Sequence, residues 1–104
     1  MLHFSSIEFD LGTVPYGQTS SVDAILTNNG PEPITLQSAN ASCSCTSGHL
    51  EYSTLQPGAK GKYTISFNTV KSGKGANQAR SIALNYTINR QTFSQTFRIK
   101  ADVV

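Results

Sequence analysis

Apolar residues in this chain recur at every second position, and that spacing restricts the fold more than any other feature. Ile7, Phe9 and Leu11 alternate with Glu8 and Asp10. Val22, Ala24 and Leu26 share one face of a second segment, with Asp23 and Ile25 on the other, and Ile34 and Leu36 mark a third. Tyr63, Ile65 and Phe67 alternate with Lys62, Thr64 and Ser66. Ile82, Leu84, Tyr86 and Ile88 line one face of a later segment. Phe93, Phe97, Ile99, Ala101 and Val103 face inward from the last. Successive side chains of a strand point to opposite faces, so each stripe marks a strand with one dry and one wet side. No helical periodicity persists, which excludes a parallel α/β fold with its crossover helices.

Turn chemistry punctuates the stripes. Gly12 ends the first segment and Val14-Pro15-Tyr16-Gly17 reads as a turn. Asn28-Asn29-Gly30-Pro31 stops the second, because Asn and Gly tolerate positive φ and Pro cannot continue a ladder. Leu55-Gln56-Pro57-Gly58 predicts a type II turn, with Pro presetting the first central φ and Gly accepting a positive second one. Lys71 to Asn77 reads as a flexible basic loop, and Asn89-Arg90 as a two-residue hairpin turn. The expectation is an all-β protein, an immunoglobulin-like antiparallel β-sandwich of seven or eight strands. With 104 residues it forms one domain over 1–104.

Only 13% of the residues are charged, and Ser, Thr, Asn and Gln fill the difference, which implies a neutral, hydroxyl-rich surface. The charge is unevenly placed. Residues 1–59 hold five acids and no Lys or Arg, a balance of −5, whereas residues 60–104 hold eight bases against Asp102 alone, a balance of +7. In a sandwich the halves interleave and neutralise each other. Where they do not, an acidic end and a basic end favour head-to-tail self-association. The net charge of +2 gives little pull toward nucleic acid, and no apolar run is long enough to span a membrane. The start has neither the basic nor the apolar region of a secretory signal. The expected location is therefore cytoplasmic or virion for a full-length chain, and exported for a trimmed one.

The order of motifs resembles a known family. Phe9-Asp10-Leu11-Gly12-Thr13-Val14, Thr27-Asn28-Asn29-Gly30, Ser42-Cys43-Ser44-Cys45-Thr46, Leu55-Gln56-Pro57-Gly58 and Phe67-Asn68-Thr69 follow one another over residues 7–104. They are similar to bacterial Ig-like domains of unknown function with a Ser-Cys-Gly-Cys-Thr core motif, akin to Hydin-type and major-sperm-protein-like domains. The resemblance implies a seven- or eight-stranded sandwich acting as an interaction module, with no activity to carry over. Ser44 stands where that family has Gly. A free-standing copy without an export signal suits a phage or virion accessory protein.

Cys43 and Cys45 are the only cysteines. In a straight strand their Cα atoms lie roughly 6.4–6.8 Å apart, at the outer edge for a disulfide. Free thiols packed as small apolar groups fit that distance, and a strained disulfide is the alternative. A third reading is metal: Cys43, Cys45 and His49 offer soft ligands for copper or zinc, though a closed zinc site needs a fourth. Otherwise no cofactor is expected. The acids and the two histidines are scattered, so no enzyme is expected either. Gly73-Lys74-Gly75 lacks the spacing of a phosphate loop. The function read from the sequence is a non-catalytic protein-binding or structural module, joined to another protein or to itself. Ile25, Lys71, Lys74 and Arg80 are its candidate contacts, and strand addition at an exposed edge is one mode open to it.

Overall fold

The computed structural model describes residues 2–41 and 45–104, and the side chains of all these except residues 38–40. The chain runs through β1 (Leu2–Phe4), β2 (Glu8–Val14), β3 (Thr19–Asn28), β4 (Ile34–Ala41), β5 (Thr46–Leu50), β6 (Thr54–Leu55), β7 (Lys60–Asn68), one helical turn α1 (Thr69–Ser72), β8 (Gly75–Ile88) and β9 (Gln91–Val103). Two sheets face each other, a four-stranded one in the order β1-β3-β7-β5 and a five-stranded one in the order β2-β9-β8-β4-β6. Apart from Ile7, which is exposed just ahead of β2, the stripes read from the sequence are their inner walls. Ala24, Leu26, Tyr63, Ile65 and Phe67 from one sheet, and Ile34, Leu36, Ile82, Leu84, Phe97 and Ile99 from the other, form a single buried cluster. Phe97 is its hinge point, meeting Tyr63 at 5.2 Å and Phe4 at 5.5 Å between ring centroids.

The sandwich is mixed rather than purely antiparallel. After β1 pairs with β3 (His3 opposite Thr27), the chain crosses to the other sheet, and β2 runs parallel to β9 with Phe9 opposite Ile99. Ser5 makes the crossing by bonding Ile25 at both the carbonyl and the amide (2.9 and 2.8 Å). A strand that leaves one sheet for the other must join an edge already set by the rest of the chain, and here that edge is the last strand.

Other local expectations are met or corrected by their hydrogen bonds. Pro57-Gly58 forms the expected turn, with Gly58 at φ 82° and the Ala59 amide donating to the Gln56 carbonyl (2.9 Å). Asn89 and Arg90 both take positive φ (48° and 69°), as a two-residue hairpin turn between β8 and β9 requires. Gly12 does not end its strand. It takes φ 68° inside β2, where the register against β9 shifts, and its amide donates to the Asp10 carboxylate (2.9 Å). This is a bulge, which re-aims the strand without stopping it. The 71–77 segment is not one open loop: Asn68 caps α1 by accepting from the Val70 and Lys71 amides, and β8 begins at Gly75.

The stop after β3 also works differently from expectation. Asn28, Asn29 and Gly30 are not among the positive-φ residues. The Asn28 side chain closes the turn instead. It is fully buried, donates to the Glu32 and Leu55 carbonyls (2.7 and 3.0 Å), and accepts from the Gly30 amide (3.0 Å).

Candidate interaction surface

The candidate residues read from the sequence fall in different places. Cys45 is 2% exposed and disulfide-bonded, so the free-thiol reading is corrected there. The distance argument assumed a straight strand, whereas Cys45 lies in a turn and β5 starts only at Thr46. The only other cysteine, Cys43, lies outside the described residues. In this form Cys45 has no thiolate to offer a metal. His49 is exposed on β5, opposite Thr64. Among the described residues no three of His, Cys, Asp and Glu converge.

His49 belongs to a polar row across the outer face of the four-stranded sheet. Asp23, Thr64 and His49 lie opposite one another on β3, β7 and β5, and the Thr64 hydroxyl donates to Asp23 (2.7 Å). The next row, Ser21, Ser66 and Ser47, repeats the pattern, with a Ser21–Ser66 hydroxyl bond of 2.9 Å. Same-face pairs of this kind stabilise antiparallel sheets by roughly 0.2–1 kcal/mol each. Ile25 is half-buried on the same face, beside Lys62.

The basic candidates cluster at one end of the sandwich. There the Pro15–Gln18 turn, α1 and the end of β9 are tied together. The Thr69 hydroxyl, fully buried, donates to the Gln18 carbonyl (2.6 Å) and accepts from the Gly17 amide (2.8 Å). The Tyr16 amide donates to the Val104 carbonyl (2.8 Å). These bonds hold Tyr16 and Val70 outward at 46% and 56% exposure. Lys74 sits over the Tyr16 ring, 5.5 Å from its centroid, and Lys71 is exposed on α1. Arg80 plays another part. It is half-buried and donates to the Gln78 side chain (2.9 Å) and the Ala79 carbonyl (2.8 Å). The Gln78 amide in turn holds the Gly73 carbonyl (2.9 Å), so Arg80 braces this end and does not present a charge from its tip. Sequence reasoning missed Tyr16 and Val70, because a turn tyrosine and a lone valine carry no periodic signal.

Among the described residues no helix is long and apolar enough to cross a membrane. Solved structures with the same architecture include PapD-like domain 7 of human CEP192 (TM-score 0.74, 14% identity, covering 99% of this chain and 84% of that one). The periplasmic chaperone SfaE matches over 99% of this chain but only 57% of its own (TM-score 0.74, 10% identity). WR4, a Caenorhabditis elegans member of the MSP family, covers 100% and 98% (TM-score 0.60, 12% identity). At such identities the likeness is one of fold. Among curated proteins no sequence matches. The family profile of DUF1573 matches residues 2–103 from β1 to the end of β9, and the chain belongs to that family of proteins of unknown function.

Proposed function

We propose that this domain is a non-catalytic protein-binding module that takes an acidic partner at the Tyr16–Lys74 end. The observation that carries the reading is the pairing of an outward Tyr16 with Lys74 over its ring, next to exposed Val70 and Lys71. An aromatic ring with a polar tip, held by a braced turn, loses little side-chain freedom on binding, and Tyr is enriched among residues that dominate interface energies. The lysines add attraction for carboxylates and speed encounter with an acidic surface. The periplasmic chaperone that shares this fold supports a protein as partner.

The test is photo-crosslinking from position 16 in cells, with the exposed position 35 on β4 as control. The expected outcome is a defined adduct from position 16 that disappears in the Lys71→Glu/Lys74→Glu variant. Adducts that are equal from both positions, or indifferent to the charge reversal, would overturn the reading.

A further inference from the structure

A second surface, independent of the Tyr16 end, lies on the outer face of the five-stranded sheet. Register sets two rows across β2, β9 and β8: Glu8, Arg98 and Ser81 in one, and Asp10, Lys100 and Ala79 in the next. Glu8, Asp10, Arg98 and Lys100 are all exposed, and they alternate with the half-buried Phe9 and the buried Ile99. Each row therefore reads acid, base, small. A groove of about 330 Å³ runs between these side chains, bounded on the β8 side by Ala79. Asp10 turns one carboxylate oxygen back to the Gly12 amide, and no ion pair joins either acid to its neighbouring base among the described residues.

We propose that this face binds a second copy of the chain around a twofold axis lying in the face, between β2 and β9 and parallel to them. The argument is charge complementarity combined with cross-strand register. Rotation about such an axis exchanges left and right but leaves position along the strands unchanged. The acid stripe of one copy then lies over the base stripe of the other. Because Glu8 stands opposite Arg98 and Asp10 opposite Lys100 in the register of β2 and β9, the rows stay matched: Glu8 meets the second copy's Arg98, and Asp10 meets its Lys100. The same two contacts recur across the axis, as an isologous interface requires. Stacked sheets lie roughly 10 Å apart, a gap that extended Arg or Lys side chains and carboxylates span together. The contact is built from exposed charges, so it is weak and salt-sensitive. The Debye length falls from about 10 Å at 0.1 M salt to about 3 Å at 1 M.

Sedimentation equilibrium of the full chain tests this with two variants. Glu8→Lys/Asp10→Lys makes the face wholly basic, and Arg98→Glu/Lys100→Glu makes it wholly acidic. The wild-type chain is expected to form a dimer at low salt that dissociates at high salt. Each variant alone stays monomeric, and a 1:1 mixture of the two associates at least tenfold more tightly than either alone. Circular dichroism melts confirm that each variant is folded. Should one not fold, Glu8→Gln/Asp10→Asn serves in its place and must lose the dimer. A wild-type monomer at low salt, growth beyond a dimer, or variants that associate as well alone as mixed would overturn the proposal. Tyr16→Ala/Lys74→Ala leaves the dimer intact, which separates this surface from the one proposed above.

Discussion

Two side chains show how single residues hold this sandwich. Gly48 on β5 lies beneath the Tyr63 ring: a methyl group there would sit 2.7 Å from ring atoms Cε1 and Cζ and against the hydroxyl. Tyr63 is fully buried and packs on Phe97, so the ring cannot retreat. Gly48→Ala is expected to cost roughly 1–3 kcal/mol, as overpacking does, lowering the melting temperature by several degrees. The same change in a Tyr63→Leu background should cost distinctly less, because the obstructing ring is gone, and equal costs in both would refute the account. Asn28 is the second case. Its amide satisfies two carbonyls and its oxygen one amide, joining the 28–32 turn to β6. Asn28→Ala leaves these groups without partners and should cost about 1–3 kcal/mol in urea unfolding.

At the scale of elements, the long β8–β9 hairpin depends on a turn whose second residue suits it poorly. Arg90 takes φ 69°, a conformation that costs an ordinary residue roughly 1–2 kcal/mol. Glycine removes that cost and returns part of it through greater freedom of the unfolded chain. Arg90→Gly should therefore stabilise the protein by about 0.5 kcal/mol, read as a small rise in melting temperature. At the start of β5 the chemistry is covalent. The structure has no free cysteine among its described residues and Cys45 is disulfide-bonded. Unfolded but unreduced protein should show no titratable thiol, and reduced protein two. Two thiols before reduction would refute the disulfide.

On the scale of the molecule, the two halves of the chain interleave. The five-stranded sheet takes its first strand from residues 8–14 and the neighbouring strand from residues 91–103, so Glu8 and Asp10 of the acidic half stand beside Arg98 and Lys100 of the basic half. Part of the charge asymmetry seen along the sequence thus becomes a striped face, while Lys71 and Lys74 stand exposed at the Tyr16 end. Added salt should accordingly weaken association more than it shifts the melting temperature, which differential scanning measurements at 0.1 M and 1 M salt can compare. The molecule is elongated, 46 × 19 × 18 Å, because the longest strands run its length. The Tyr16 end and the charged face are therefore separate surfaces.

Period-two alternation was enough to identify six of the strands and the core, because burial acts on each side chain where it stands; the short β1, β5 and β6 carried no such stripe. Tyr63, Ile65, Phe67, Leu84 and Phe97 are all buried as their phase required. Turns written in local chemistry, such as Pro57-Gly58 and Asn89-Arg90, were legible for the same reason. What depends on residues far apart was not. The crossing of the first strand between sheets, its parallel run beside the last one, and the Thr69 bond that braces Tyr16 each join segments with no local signature. Which charges face each other, and which ring stands exposed, follow from strand order and register, and those are set only when the two sheets close on a shared core.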